Sequence, residues 1–328
     1  MQLKSDNKYT ILVSGASGIV GYGILRSLCN YECRTIGTTI YPESPAECFS
    51  DIVEIVPRTD DEHYISCLIR LIDKYSIDMI IPGIEADMKT WNMYRKELEK
   101  TGVKLLLNNP DLVRLCSDKW LFYKELEKQD FEFRIRTSII SNDNSFSFPV
   151  ILKPRCGFGA RGIIKIDSSK ELEQYILQIG KSLMIEEFVG SDEEEYTVSA
   201  FFDKHSNCNA LIMLRRKLSQ SGFTEIACVA DKENTESIVP LIEELAQTFK
   251  PIGPTNFQFR KVGDIWKLLE INPRISSSCS IRTAFGYNEC HMAVKYFLEG
   301  KEIKQPEIIK GRAVRYIEDY IFYDSNNI

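Results

Sequence analysis

The sequence has no long apolar run, no block of basic residues and no pair of cysteines in CxxC spacing. A membrane-spanning helix needs about 20 mostly apolar residues. The most apolar stretch near the N-terminus, residues 9–28, is broken by four glycines and by Arg26. The formal net charge is −6, whereas nucleic-acid-binding proteins usually carry a basic excess. We therefore expect a protein that binds neither a membrane nor a nucleic acid.

A zinc-ligand spacing and a secretory signal are also missing. The ten cysteines are scattered along the chain, and its first residues, MQLKSDNKYT, are polar. Scattered thiols without a signal are typical of a reducing compartment, so we expect a cytoplasmic protein. The three histidines, at positions 63, 205 and 291, lie in no motif. We expect them to be surface or core residues rather than metal ligands.

Strands and helices alternate in the first part of the chain. Apolar residues at positions 65, 68, 69 and 72 predict a helix over residues 64–75, and a further helix is predicted over residues 88–100. Apolar runs predict strands over residues 9–14, 34–40, 51–56, 77–82 and 103–107. This alternation favours a parallel sheet covered on both faces, the α/β class. The first domain is predicted to end near Asn108, because Asn109-Pro110-Asp111 has the pattern of a new helix start.

The second part of the chain has longer, alternating strands. They are predicted over residues 195–202, 209–215, 225–230, 256–261 and 265–272, with helices at about 235–250 and 283–299. This pattern is typical of an antiparallel sheet in an α+β arrangement. A last strand is predicted over residues 312–323.

Gly15-x-x-Gly18-x-x-Gly21 follows the first strand and precedes a helix, which is the setting of a dinucleotide site. An NAD(P)-dependent sugar-nucleotide enzyme is therefore one hypothesis. Two absences weaken it. The second strand ends in Thr38-Thr39 without an acid for a ribose hydroxyl, and the chain has no Tyr-x-x-x-Lys pair for acid–base work. We favour a turn whose glycines let strand and helix pack closely.

A second glycine-rich segment, residues 157–162, directly follows a strand that ends at Lys153-Pro154. Backbone N–H groups of such a loop can fold over phosphate oxygens, and a lysine supplies a point charge. No Gly-Lys-Ser/Thr follows, so the segment is not a Walker A loop. Cys156 is interpreted as a spectator at the start of this loop.

A hairpin over residues 256–274 carries oxygen donors in an otherwise apolar strand. Strand alternation places Gln258 on one face of the first strand, and Glu270 and Asn272 on one face of the returning strand. The short turn at Gly263-Asp264 would bring these three side chains together. Carboxylate and amide oxygens suit Mg²⁺. The hairpin therefore predicts a metal site centred on Glu270.

Taken together, these motifs resemble the ATP-grasp superfamily, and within it the single-module relatives of the carbamoyl-phosphate synthetase large subunit. The resemblance covers nearly the whole chain. It implies a Rossmann-like pre-ATP-grasp domain over residues 1–108 and an ATP-grasp small (lid) subdomain with a linker helix over 109–185. The large subdomain would span 186–311, followed by a C-terminal strand and tail over 312–328.

The resemblance also implies roles for individual residues. Lys119 and Lys153 would contact phosphate, together with the loop glycines Gly157, Gly159 and Gly162. The hinge against adenine would be Glu186, Glu187, Phe188 and Val189, and Glu195 would bind ribose. Gln258, Glu270 and Asn272 match the metal ligands, and Arg274 would stabilise the transferring phosphoryl group. The basic run Arg215-Arg216-Lys217 is expected to grip the γ-phosphate or a substrate carboxylate, with Arg215 chosen as the catalytic residue and Lys217 and Arg282 as further substrate contacts.

The activity that the resemblance implies is an ATP-dependent carboxylate–amine ligase that works through an acyl phosphate. Its cofactors would be ATP and Mg²⁺ or Mn²⁺, with two ions expected. Its partners would be a small carboxylate and an amine, and a homodimer is left open. A non-catalytic nucleotide-binding protein of the same fold is the further alternative to the NAD(P) enzyme.

Overall fold

The computed structural model describes residues 8–129, 131–140, 145–157, 162–219 and 222–321. Within these ranges the chain forms three sheets, one near each end and a small one between them. In the same ranges, no helix combines the length and the apolar character that crossing a membrane requires.

The first sheet has five parallel strands in the order β3-β2-β1-β4-β5. The strands are β1 (Tyr9–Val13), β2 (Cys33–Thr39), β3 (Ile52–Ile55), β4 (Met79–Ile81) and β5 (Lys104–Leu105). The helices are α1 (Ile19–Leu28), α2 (Tyr64–Tyr75), α3 (Glu85–Met93) and α4 (Arg95–Glu99), with a 3₁₀ turn at Pro45–Cys48. Apolar side chains pack on both faces of this sheet, which confirms the α/β prediction.

The glycine turn after β1 has a packing role. Gly15 adopts a positive φ of 57°, a conformation that glycine takes at little cost. A Cβ on Gly21 would lie 2.2 Å from the carbonyl oxygen of Gly15, so only glycine fits at the start of α1. At the end of β2 the Thr39 hydroxyl is hydrogen-bonded to Ser17 at 2.6 Å. The contacts agree with the close-packed turn that the sequence favoured.

Two helices and a four-stranded antiparallel sheet follow. Helix α5 (Pro110–Cys116) is capped by Asn109, whose side chain accepts from Asp111 N, and α6 (Lys119–Lys128) is capped by Asp118. The sheet order is β6-β9-β7-β8. Its elements are β6 (Thr137–Ser138), β7 (Val150–Pro154), β8 (Ile164–Ile166), α7 (Ser169–Leu172), a 3₁₀ turn at Glu173–Tyr175 and β9 (Leu183–Glu187).

The third sheet has six antiparallel strands in the order β14-β13-β10-β11-β12-β15. After a 3₁₀ turn at Asp192–Glu194 its strands are β10 (Glu195–Phe202), β11 (Cys208–Leu218), β12 (Thr224–Val229), β13 (Gly253–Val262), β14 (Ile265–Asn272) and β15 (Arg312–Val314). The helices are α8 (Lys232–Phe249), α9 (Cys279–Ala284) and α10 (Glu289–Phe297). Helix α8 packs against one face of the sheet, and α9, α10 and the first sheet's α1 pack against the other.

Two predicted helices are each divided in the structure. The helix predicted over residues 88–100 is α3 and α4, which meet at Tyr94. Arg95 donates to Asn92 Oδ1 at 2.9 Å and to Asn108 O at 2.7 Å, which ties the start of α4 to the segment after β5. The helix predicted over 283–299 is α9 and α10, because Gly286 between them has a φ of 90° that a helix does not allow.

Candidate active site

A cleft lies where the first sheet, helix α6, the small sheet and strand β14 meet. It brings together six residues singled out from the sequence, namely Lys119, Lys153, Gly157, Glu186, Glu270 and Asn272. The rest of its wall is formed by Glu85, Cys116, Phe122, Tyr123, Leu126, Ile135, Thr137, Met184, Leu268, Leu269 and Ile271. Apolar side chains thus enclose a small number of convergent charged groups, as is usual for ligand sites.

Lys119 connects helix α6 to the second glycine-rich segment. Its Nζ donates to Gly157 O at 2.8 Å, and its backbone N donates to Arg155 O at 2.9 Å. Asp118, which caps the helix, also pairs with Arg155 at 2.6 Å. The lysine is therefore held at a helix N-terminus, where backbone N–H groups already favour an anion. In the glycine-rich segment, Gly162 has a φ of 76°. Gly159, the other glycine predicted to contact phosphate there, lies outside the described residues.

Lys153 and Glu186 form a nearly buried ion pair in the cleft wall. They lie on the paired strands β7 and β9, where Ile151 is opposite Glu186 and Lys153 is opposite Met184. Glu186 also accepts from Thr137 Oγ1 at 3.2 Å. Lys153 is a predicted phosphate ligand, and Glu186 is the first residue of the predicted adenine hinge. The ion pair therefore connects the predicted phosphate contact with the predicted adenine contact.

The remaining hinge residues border the third sheet. Glu187 N donates to Arg136 O at 2.9 Å, and Val189 O accepts from Arg260 Nη1 at 3.2 Å. The ring of Phe188 lies 5.0 Å from Lys165 Nζ. The contact of residues 186–189 with adenine stays a prediction.

Glu270 is the carboxylate at the centre of the predicted metal site. The hairpin pairs Gln258 with Glu270 and Asn256 with Asn272, and a β-bulge between Gln258 and Phe259 sets this register. Asn272 Nδ2 donates to Glu270 Oε1 at 2.8 Å. Burial raises the pKa of Glu270, but the charges of Lys119, Lys153 and Arg216 and the Asn272 hydrogen bond outweigh it and bring the pKa below its ordinary value of 4.5. The carboxylate is therefore ionised at neutral pH.

The donor set fits a magnesium ion only in combination with phosphate oxygens. In the described part of the chain no group of three or more His, Cys, Asp or Glu residues could hold a metal. Mg²⁺ typically uses one or two protein carboxylates and takes its other ligands from phosphate and water. A single ionised carboxylate flanked by Gln258 and Asn272 matches that requirement, so the residues fit the ion that the sequence implies.

Arg216, the middle residue of the run Arg215-Arg216-Lys217, is the one that contacts the predicted metal ligands. Its Nη2 donates to Gln258 Oε1 at 2.6 Å and to Glu195 Oε1 at 3.0 Å, and the side chain is buried. From this run the sequence singled out the neighbours Arg215 and Lys217. Consecutive strand residues face opposite sides, but Met213 and Leu214 on the two faces of β11 are both buried, so strand alternation gives no signal that singles out Arg216.

Arg215 and Lys217 lie on the other face of the third sheet, outside the cleft. Arg215 donates to Glu193 O at 2.7 Å and to Glu194 Oε1 at 2.8 Å, and Lys217 is exposed. The structure therefore does not bring these two predicted phosphate or substrate contacts to Glu270. Strand alternation is the physical reason.

Glu195 is buried, with both carboxylate oxygens engaged. Arg216 donates to Oε1, and Arg260 Nη2 donates to Oε2 at 3.1 Å. Glu195 does not line the cleft, so in this arrangement it holds two arginines rather than presenting an open carboxylate. Its predicted ribose contact stays a prediction.

Arg282 is placed in the core rather than in the cleft, which corrects the expectation of a substrate contact. It is fully buried and forms an ion pair with Glu289, and its Nη1 donates to Ser276 Oγ at 2.9 Å. Glu289 in turn accepts from the Ser199 hydroxyl. All of these contacts lie inside the protein, because α9 and α10 cover this part of the sheet.

Arg274 lies between the third sheet and the first. Its Nη1 donates to Ile275 O at 3.0 Å, its Nη2 is 4.0 Å from Glu85 Oε2, and its backbone N donates to Asn272 O at 2.7 Å. Its Nε is buried and has no hydrogen-bond partner among the described residues. A buried donor without a partner, two residues after Asn272, is consistent with a place for an anionic ligand.

Two family models match the chain. The model described as "PylC-like, N-terminal domain" matches residues 22–106, and the model described as "ATP-grasp in the biosynthetic pathway with Ter operon" matches residues 181–320. Residues 181–320 thus match an ATP-grasp domain, and the chain is similar to the carbamoyl phosphate synthase large chain. These matches confirm the predicted family and fold.

The chain is 27% identical, over 244 residues, to the carbamoyl phosphate synthase large chain of Pseudothermotoga lettingae. The match covers 67% of the chain but only 22% of that relative. The relatives and structural neighbours are ATP-grasp ligases, as the sequence predicted for the enzyme class.

Solved structures share the fold. N5-carboxyaminoimidazole synthetase from Staphylococcus aureus, complexed with ADP, superimposes with a TM-score of 0.75 at 15% identity and covers 93% of this chain and 81% of that one. L-amino acid ligase from Bacillus licheniformis superimposes with a TM-score of 0.68 at 15% identity and covers 90% and 75%. Both likenesses concern the fold alone.

Proposed function

We propose that this protein is an ATP-dependent carboxylate–amine ligase that forms an amide through an acyl phosphate and releases ADP and phosphate. The observation that carries the proposal is Glu270, an ionised carboxylate in a cleft where Lys119 and Lys153 converge on it. That combination suits a nucleotide triphosphate with a divalent cation, because the cation and the lysines offset different parts of the phosphate charge.

The chemistry consists of two displacements. Attack of a substrate carboxylate oxygen on the γ-phosphorus gives an acyl phosphate and ADP. Attack of an amine nitrogen on the acyl carbon then expels phosphate, and the nitrogen loses a proton to give the amide. Such transfers depend on positioning and charge neutralisation more than on covalent catalysis by the protein.

Each residue of the site has a defined task in this proposal. Lys119 and Lys153 neutralise phosphate oxygens, and Arg274 stabilises the transferring phosphoryl group with the donor atom that lacks a partner. Glu270, Gln258 and Asn272 would hold magnesium, which supplies charge neutralisation at the phosphates when it is bound. Arg216 orients Gln258 and adds positive charge near Glu270.

The comparisons support this reading at the level of the family. The ligase from Bacillus licheniformis is an L-amino acid ligase, and the synthetase from Staphylococcus aureus was solved with ADP. We infer from these likenesses that the chain binds ATP and joins a small carboxylate to an amine in the cytoplasm. A homodimer, to be tested by light scattering, is the assembly we propose.

The test is binding followed by turnover. MgADP and NADH are first compared for their effect on the melting temperature of the purified chain, since a ligand of the native state raises it. ADP release is then screened over amino acids and small acids in pairs, and any amide is identified by mass spectrometry. Stabilisation by NADH and not by MgADP would reject the proposal, and nucleotide binding without turnover on any pair would favour the non-catalytic alternative.

A further inference from the structure

Arg315, just after strand β15, reaches the loop that follows the proposed metal ligands. Its backbone N donates to Glu225 O at 2.8 Å on the neighbouring strand β12, and its Nη2 donates to Ser277 O at 2.9 Å. Its Nη1 is buried and has no hydrogen-bond partner within the described ranges. Nη2 of this guanidinium is thus held by a hydrogen bond to the protein, whereas the buried Nη1 is a donor without an acceptor among the described residues.

The sheet register places Arg315 on the face of the sheet that carries the candidate active site. Arg216 is opposite Ala227, and Ala227 is opposite Ala313, so these three share a face. Arg315 follows Ala313 by two residues and therefore lies on the same face. Gln258 also belongs to this face, because Arg216 donates to it.

The loop over residues 273–278 joins Arg315 to the phosphate-binding end of the site. It begins directly after Asn272 and contains Arg274. At its far end Ser278 Oγ is hydrogen-bonded to Thr224 Oγ1 at 3.0 Å, and both residues are fully buried. This anchor fixes the backbone to which Arg315 donates, so the guanidinium is held without a carboxylate partner of its own.

We propose that Arg315 binds a carboxylate of a small substrate, one that does not itself react. The inference rests on the proposed ligase function and adds a substrate class to it. The reacting carboxylate would belong near Arg274 and Glu270 at the start of the loop, whereas Arg315 contacts the loop near its other end, at Ser277. The group that it takes is therefore a second carboxylate, carried either by the acid substrate or by the amine substrate.

The chemistry of the arginine supports a carboxylate. A guanidinium presents several N–H donors in a planar fork that matches the two oxygens of a carboxylate, and it stays charged at any physiological pH. Arg282 is already saturated by Glu289 and Ser276, and Arg215 faces away. Arg315 also lies on this face, away from Glu270. Its buried Nη1 has no hydrogen-bond partner within the described part of the chain, so it can donate to a ligand.

The experiment measures binding to the full-length chain loaded with MgADP, so that it does not depend on turnover. The probes are the proteinogenic L-amino acids, as models of the amine substrate, and succinate and glutarate, as models of the acid. Each is paired with an amide in which a carboxylate has been removed. The variants are Arg315→Gln, Arg315→Lys and the control Arg312→Gln. Arg312 lies on the same strand but faces the other side and is exposed.

At least one carboxylate probe should stabilise the wild-type complex. Arg315→Gln should weaken its binding at least about 10-fold, a factor typical of a lost charge-assisted hydrogen bond. Arg315→Lys should retain part of the affinity, and Arg312→Gln should retain all of it. The amide counterpart should bind the wild type and Arg315→Gln equally weakly. Selective effects on amino acids assign the carboxylate to the amine substrate, and selective effects on succinate or glutarate assign it to the acid.

Three results would overturn the inference. Arg315→Gln could bind the acid probe as tightly as the wild type does, or lose the acid and its amide to the same extent, which would indicate a structural role. Alternatively, MgADP could bind while no carboxylate probe does. Failure of MgADP itself to bind would instead refute the proposed function, so the two failures are distinguishable.

Discussion

The ammonium of Lys153 contacts the carboxylate of Glu186 across the paired strands β7 and β9, and both side chains are nearly buried. Lys153 therefore has two roles in this account, since it neutralises Glu186 and faces the cleft that is proposed to hold phosphate. The two roles can be separated by mutation, because one depends on the partner and the other does not.

Lys153→Met should lower both stability and nucleotide affinity. Removing one partner of a buried ion pair leaves an uncompensated charge and costs about 3–5 kcal/mol. The double variant Lys153→Met/Glu186→Gln should regain most of that stability but not the affinity for MgADP. Urea denaturation and calorimetric titration measure the two quantities. Lys170→Met serves as the control, because Lys170 lies on α7 and is exposed. Recovery of MgADP affinity in the double variant would argue against a phosphate contact.

Arg216 and Arg215 provide a matched pair of neighbours that face opposite sides of the sheet. Arg216→Met should reduce ADP release at least about 10-fold, because Gln258 and Glu270 lose a nearby positive charge. Arg215→Met should stay within about 2-fold, since it removes a surface ion pair of small energetic value. Steady-state ADP release compares them directly. If Arg215→Met reduces ADP release more than Arg216→Met does, the site does not lie on the sheet face that carries Arg216.

Arg282→Met should destabilise the fold without a selective effect on substrate binding. The lost partner leaves Glu289 buried and unpaired, which costs about 3–5 kcal/mol. Arg282→Met/Glu289→Gln should restore part of the loss. The measurements are urea denaturation and the KM for each substrate at a temperature where the variant is folded. A raised KM for one carboxylate with unchanged stability would reinstate the substrate role that the sequence suggested.

The sequence was sufficient for the fold and for placing Gln258, Glu270 and Asn272 on one hairpin. The short turn at Gly263-Asp264 placed Gln258 close to Glu270, but by itself that register would put Leu269 opposite Gln258. A β-bulge between Gln258 and Phe259, which the sequence did not show, brings Glu270 opposite Gln258. The sequence could not decide between Arg215 and Arg216, because which strand face is covered depends on α9, α10 and the first sheet, all distant in sequence. For the same reason the sequence could not show that Arg282 is paired with Glu289 in the core, and Arg282 was expected to contact a substrate.

Two cysteines report on the cleft and on the glycine-rich segment beside it. Cys156 is exposed next to Gly157, whereas Cys116 lines the cleft, where burial and the nearby Glu270 and Glu85 raise the pKa of its thiol. Because the thiolate is the reactive form, iodoacetamide should label Cys156 and spare Cys116 at neutral pH. MgADP should slow the labelling of Cys156 if residues 157–162 close over phosphate. Peptide mass spectrometry follows both sites, with the exposed Cys29 as the reference. An unchanged rate at Cys156 would contradict closure.

Glu270→Gln tests the central claim, that a magnesium–nucleotide complex is held at Glu270. The substitution keeps the shape and removes the charge, so the fold should survive, and Glu243→Gln on the exposed side of α8 is the control. With the best substrate pair of the panel, ADP release should fall at least about 100-fold, which corresponds to about 2.7 kcal/mol of transition-state stabilisation. The affinity for ATP without magnesium should change little, because Lys119 and Lys153 remain. If Glu270→Gln releases ADP at the wild-type rate, the metal assignment and the account built on it are wrong.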